Sequence, residues 1–253
     1  GGLADVVYSL GKELVVMGQE VFVVLPYYKQ IKEKIHANVK KVASYPISMS
    51  WRRNQADVYV TYESGITYYF VESSQYFDRD GLYGFEDDNE RFAFFVLAVK
   101  ELLYHLNLIP DIIHVHDWHP GMLPCVMKED PYSREFFNKT KYVTSIHNPA
   151  FQGMMDKYCL GDYYGLSDIV YESGKVRFKG AVSSLKSAIM YSDKITTVSP
   201  NHKLELLTPE GSMGLYNVLE LREWDFAGIL NGIDYVEFNP NNDDKLVANY
   251  NAQ

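Results

Sequence analysis

The chain has two cysteines, Cys125 and Cys159, in 253 residues. That is too few for a disulfide framework, and it points to a reducing compartment. No apolar run approaches the roughly 20 residues that a membrane-spanning helix needs, so no membrane partner is expected. A surplus of basic charge is also missing: the net charge is −9, and the lysines and arginines are scattered. Nucleic-acid binders need a basic face for phosphates, so no nucleic-acid partner is expected either. A small anionic ligand, which needs only local donors, is not excluded. The chain has no internal repeat and no low-complexity segment.

What is present fits a globular α/β protein. Hydrophobic residues make up 47% of the chain and charged residues 23%, enough apolar surface for a real core. Tyrosine is frequent, at 21 residues. Its rings suit sugar stacking, but they also fill half-exposed strands, and composition alone favours the second reading. Leu3, Val6, Val7, Leu10, Leu14 and Met17 recur at helical spacing, with Gly18 as a natural stop. "EVFVVLP" follows as a short apolar run and predicts a strand buried on both faces. After a polar stretch to about Lys41, "DVYVTYESGITYYFVES" alternates around Ser64-Gly65 and predicts a hairpin. "QYFDRDGLYGFEDDNE" is acidic and turn-rich and reads as a mobile loop. Arg91 to Leu108 reads as a long apolar helix closed by Pro110. Then "DIIHVH", "KYVTSIH", "KITTVS" and "FAGILNG" read as strands, with "AVSSLKSAIMYSD" as a helix before the third. Strands alternating with helices predict a doubly wound, mostly parallel, Rossmann-like sheet.

Each late strand runs into polar residues: His116-Asp117, His147-Asn148, Ser199-Pro200 and Asn231-Gly232. Open parallel sheets bind ligands at the carboxyl ends of their strands, so these loops are expected to share one crest with Gly1-Gly2. Two glycines ahead of a helix let a phosphate approach unpaired N–H groups. The same pair also serves as a plain tight turn. Asp5 sits in the first helical turn, where a carboxylate is favourable under any function.

"HVHDWHPG" places His114 and His116 on one strand face and His119 in the loop beyond. That pattern invites a metal-dependent hydrolase reading. Against it, Asp117 stands one position too early, and no further ligand set is obvious. The plainer reading makes His114 a core histidine and Asp117-Trp118 the functional pair, a carboxylate beside an aromatic ring. "SIHNPAFQG" offers His147 as an acid–base or charge-stabilising group, with Asn148, Gln152 and Gly153 completing a tight polar loop.

Taken together, "GGLADV", "HVHDWHPG", "IHNPAFQG", "KITTVSP" and "ILNGID" resemble, in order and approximate spacing, the bacterial glycogen synthases and plant starch synthases of retaining glycosyltransferase family 5. The resemblance runs from Gly1 to about Pro240. It implies the N-terminal half of a GT-B arrangement, two Rossmann-type domains across a cleft. Residues 1–253 would then form that half, with a first strand and a lysine expected before Gly1. A nucleotide-binding C-terminal domain, also absent here, would complete the cleft, so the isolated chain is expected to transfer little or nothing.

The implied reaction moves glucose from ADP-glucose to the non-reducing end of an α-1,4-glucan with retention, without metal or cofactor. The location would be the bacterial cytoplasm, or a plastid if the protein is a plant starch synthase. By motif match, His147 and Asp117 would be catalytic. Gly1 and Gly2 would meet the donor phosphates, and Asp5 and Asn231 the donor or nucleotide. Trp118 would contact the reacting sugars, and Asn148 and Gln152 would shape the pocket. Tyr83 is a looser candidate for acceptor contact, because its local string departs from the family's. A non-catalytic glucan-binding domain is the other alternative.

Overall fold

A computed structural model describes residues 2–35, 38–234, 239–242 and 246–251. Gly1, the first of the glycine pair, lies outside the described residues. The elements in chain order are α1 (Gly2–Val16), β1 (Val21–Pro26), α2 (Lys29–Ile35), β2 (Lys40–Met49), β3 (Arg52–Glu63), β4 (Ile66–Glu72), α3 (Ser74–Phe77), α4 (Asp88–His105) and β5 (Ile112–His116). They continue with α5 (Leu123–Glu129), α6 (Pro131–Phe136), β6 (Lys141–Ile146), β7 (Met154–Met155), α7 (Cys159–Tyr164), α8 (Ile169–Glu172), β8 (Arg177–Phe178) and β9 (Ala181–Ser183). The last are α9 (Ser184–Tyr191), β10 (Lys194–Thr197), α10 (Pro200–Leu206), α11 (Tyr216–Leu221) and β11 (Phe226–Gly228).

The expected parallel sheet is present as four strands in the order β11-β10-β6-β5, every pair parallel. All four therefore end at the same edge. A second sheet, ordered β1-β4-β3-β2, is mixed: β1 and β4 run parallel, while the other pairs are antiparallel. A small antiparallel sheet, β7-β9-β8, stands beside them.

The predicted hairpin forms β3 and β4 around Ser64-Gly65. Gly18 ends the first helix with a φ of 83°, a conformation that favours glycine. β1 departs from the expectation that it is buried on both faces. Val21 to Leu25 are only half-buried, because the strand lies at the edge of its sheet among the described residues.

The acidic segment after β4 is better anchored than a mobile loop. Tyr76 and Phe77 are fully buried. Arg79 makes a two-pronged contact with Asp87, at 2.6 Å to each carboxylate oxygen. Ala181–Ser183, expected at the start of a helix, is strand β9. The Ser183 hydroxyl accepts the Lys186 N–H at 3.0 Å and caps the helix that follows.

The core sits where α4 packs on β2 and on the helices around it. Ten of its residues, Arg91 to Leu103, are buried. Arg91 is wholly buried and is neutralised there: it pairs with Asp88 and donates to the Tyr76 carbonyl at 2.7 Å. A second cluster, with Phe92, Trp118, Ile146, Leu185 and Ile189, packs under the parallel sheet's carboxyl ends and supports the loops described next.

Candidate active site

The loops after β5 and β6 meet at the crest. Asp117 follows β5 directly with a φ of 57°, left-handed for a residue with a side chain. That conformation turns its carboxylate across to the next strand. There it accepts the backbone N–H of His147 at 2.7 Å and that of Asn148 at 3.2 Å. The two residues expected to be catalytic, 30 positions apart in sequence, are thus joined at one point. Asp117 is buried, at 7% exposure, and burial pushes its carboxyl pKa up against the two N–H donors that favour the charge. Burial pushes His147 down, and the Asp117 carboxylate opposes this. His147 is therefore a neutral imidazole near pH 7, with one donor and one acceptor nitrogen.

His116 shares a 3.0 Å hydrogen bond between its Nδ1 and His147 Nε2. His114 stacks on His116 at 4.2 Å, and its Nε2 is hydrogen-bonded to the Ser145 hydroxyl at 2.7 Å. Ser145 passes the contact on to Thr196 at 2.5 Å. His119 turns away, stacking on Trp118 at 4.3 Å and meeting the edge of Phe92 at 4.7 Å. The three histidines of "HVHDWHPG" do not converge, and among the described residues no cluster of three or more His, Cys, Asp or Glu has a metal-holding geometry.

Beside this cluster is a cleft of about 370 Å³, lined in part by Trp118, Phe151, Gln152, Met154 and Met213. Gly153 makes it possible. Its φ is 59°, and a Cβ there would stand 2.5 Å from the Trp118 ring. Trp118 is 8% exposed. With one contact to His119 and another to Phe92, it is a wall of the cleft rather than an open sugar platform. Gln152 is buried, its amide nitrogen donating weakly to the Pro149 and Met213 carbonyls. Its Oε1 has no partner. Tyr83, 56% exposed, brings its ring within 5.6 Å of His119 and 6.4 Å of Phe151 at the mouth.

Gly2, Asp5 and Asn231 are exposed, and no hydrogen bond or ion pair among the described residues ties them to the Asp117–His147 point. Gly2 opens α1 with nothing within 4 Å of where a Cβ would stand. Lys12 of α1 pairs with Asp234 at 2.7 Å, which draws the segment after Asn231-Gly232 to the first helix.

The sequence reading missed His202. It lies in the first turn of α10, bonds Thr197 Oγ1 at 2.5 Å, and is near enough to His147 to disfavour its charging. The only available signal was the Ser199-Pro200 strand end. Met213, Phe178 and Lys179 reach the cleft from segments that carry no motif.

The half-buried histidines make stability depend on pH. Burial lowers His114 and His119 to about 4 in the fold, against about 6.5 in an unfolded chain. The unfolded state then binds more protons between those values. Stability is complete above about pH 6.5 and falls as pH drops towards 4, by up to about 3 kcal/mol per histidine. Asp117, raised in the fold, pulls weakly the other way at the acid end. Urea midpoints measured from pH 7.5 to pH 5 are expected to fall steadily, and a flat profile contradicts the neutral, half-buried histidines.

A parallel sheet whose polar loops meet at its carboxyl ends, with a buried carboxylate and imidazole at that point, defines a Rossmann-like ligand-binding domain. Comparison narrows the class: the chain belongs to the starch synthase catalytic domain family, whose profile matches residues 1–221. It is 42% identical to the glycogen synthase of Clostridium kluyveri over 251 residues, covering 99% of this chain and 53% of that one. The glycogen synthase of Bacillus licheniformis is 41% identical over 252 residues, covering 100% and 52%. The catalytic domain of starch synthase IV from Arabidopsis thaliana, solved with ADP and acarbose bound, superposes with a TM-score of 0.87 at 31% identity. That match covers 99% of this chain and 52% of the plant chain. The chain therefore spans about half the length of the relatives it matches. The match supports the expected architecture, one half of a GT-B glycosyltransferase. No helix among the described residues is long and apolar enough to cross a membrane.

Proposed function

We propose that this chain is the N-terminal half, residues 1–253, of a bacterial cytoplasmic glycogen synthase. The enzyme transfers glucose from ADP-glucose to the non-reducing end of an α-1,4-glucan with retention of configuration. The observation that carries this reading is the left-handed Asp117 holding the backbone of His147 and Asn148 at the crest of a parallel sheet. It does so in a chain whose family is starch and glycogen synthesis. The ADP and acarbose of the Arabidopsis relative support a nucleotide donor and an oligosaccharide acceptor.

The reaction must stabilise a sugar with oxocarbenium character and a developing negative charge on the departing diphosphate. His147 sits beside the donor glucose, oriented by the Asp117 clamp on its backbone and by His116 on its ring. Asp117 supplies buried negative charge near the reacting sugars. Trp118, Asn148, Gln152 and Tyr83 shape the acceptor side. Gly1 and Gly2 with the helix N-terminus, together with Asp5 and Asn231, face the donor. The opposing C-terminal domain completes the nucleotide site.

The test uses the full-length protein. Nucleotide release is followed with a maltooligosaccharide primer, offering ADP-glucose and UDP-glucose separately, with and without a strong chelator. Primer-dependent, chelator-resistant turnover with ADP-glucose is expected. No transfer from either donor, joined by zinc in a metal analysis, overturns the reading and returns attention to His114, His116 and His119.

A further inference from the structure

The mixed sheet carries a hairpin whose tip the proposed reaction does not use. Met49 of β2 pairs with Arg52 of β3, so the turn between them is the two residues Ser50-Trp51. Ser50 adopts a φ of 53°, a position where such turns prefer glycine. The strand has already buried its apolar side chains at alternate positions, Tyr45, Ile47 and Met49. Trp51 is left 75% exposed. A large ring at a strained tip, with its neighbours already satisfied, is not filling a core.

The ring is also held in place. The Arg52 guanidinium carbon lies 4.6 Å from the Trp51 ring and 5.2 Å from the Tyr163 ring. Its nitrogens reach Glu90 and Asp162, each at 3.0 Å. The indole therefore rests on a cation that two carboxylates fix, with most of the ring left to solvent. These anchors lead back to the cleft. Asn89, next to Glu90, donates to the Met154 carbonyl at 2.8 Å, and Met154 lines the cleft. Tyr158, 64% exposed, lies between Met154 and Asp162 on the same short segment.

A cleft of about 370 Å³ accommodates a small molecule, not a polymer. A long acceptor must run out over the rim. We propose that Trp51, on its Arg52 clamp, is an accessory subsite for the α-glucan acceptor, beyond the reacting end. The inference rests on the acceptor reading above. An indole face takes the apolar C–H face of a glucosyl ring, and the polar groups around the clamp suit its hydroxyls. A protein partner would call for a broad apolar patch, whereas this ring is bordered by Arg52, Glu90 and Asp162.

The experiment compares Trp51→Ala and Trp51→Tyr with wild type in the full-length protein. For the alanine variant, KM for glycogen is expected to rise about five- to tenfold, while KM for maltotriose, KM for ADP-glucose and Tm stay unchanged. The tyrosine variant, which keeps a ring, is expected to remain within about twofold of wild type. Retention in glycogen-containing native gels reads binding without turnover, and the alanine variant is expected to lose retardation. If another segment of the protein covers Trp51, the alanine variant loses Tm and shifts both acceptors together, or shifts neither; any of these results overturns the subsite. Failure of the parent reading looks different: wild type itself then transfers no glucose, and gel retention of wild type against Trp51→Ala still decides the subsite.

Discussion

Replacing His147 with alanine in the full-length enzyme is expected to lower kcat by about three orders of magnitude, leaving KM for the glucan and the thermal midpoint nearly unchanged. The imidazole is half-buried at the meeting point of two strand ends, and burial keeps it uncharged near neutral pH. Its Nε2 is already engaged by His116 at 3.0 Å, which fixes the ring and leaves Nδ1 for substrate. A neutral, oriented imidazole polarises a sugar hydroxyl without the cost of desolvating a charge. The backbone of His147 is held by Asp117, not by its own side chain, so alanine leaves the loop in place. A variant that keeps near-wild-type kcat rules out His147 as catalytic. One that melts early shows that the ring's role is structural.

The second large effect is at Asp117, where two substitutions separate charge from structure. Asp117→Asn keeps an oxygen able to accept the N–H groups of His147 and Asn148. It also keeps a residue type that tolerates a φ of 57°. It removes only the negative charge. The fold is expected to survive, with kcat falling about a hundredfold or more as charge stabilisation at the reacting sugar is lost. Asp117→Ala instead leaves two backbone donors unpaired in a buried position and puts a poorly suited residue in the left-handed region. A stability loss of about 2–4 kcal/mol is expected on top of the lost turnover. Steady-state kinetics and denaturant melts on the pair decide the matter. If Asp117→Asn turns over like wild type, the carboxylate is a structural clamp alone.

The strands at the crest were legible because their signal is local. "DIIHVH", "KYVTSIH" and "KITTVS" are short β-branched runs that end in polar residues, and β5, β6 and β10 stand where they were expected. β2 was not assigned. Its buried side chains alternate correctly, but Pro46 interrupts the run, and proline argues against a strand. Pro46 is tolerated because β2 is an edge strand of its sheet. The edge position of β1 was equally invisible: an apolar run reads as doubly buried whether or not the sheet has further strands beside it.

The sequence by itself determined the crest strands β5, β6 and β10, the polar ends of these strands, and the family, since each rests on residue types at short spacing. Only the tertiary structure decided which polar groups meet. The Asp117 carboxylate reaches the His147 backbone because β5 and β6 are parallel neighbours, in register from Ile112 against Lys141 to His116 against Ser145. The same packing turns His119 of the histidine motif away from His114 and His116, walls Trp118 into the cleft, and brings His202 to the site without a motif of its own. Spacing along a chain fixes local conformation through steric and hydrophobic periodicity. Contacts across 30 or more residues are set by how the sheet twists and packs, and no short window of sequence encodes that.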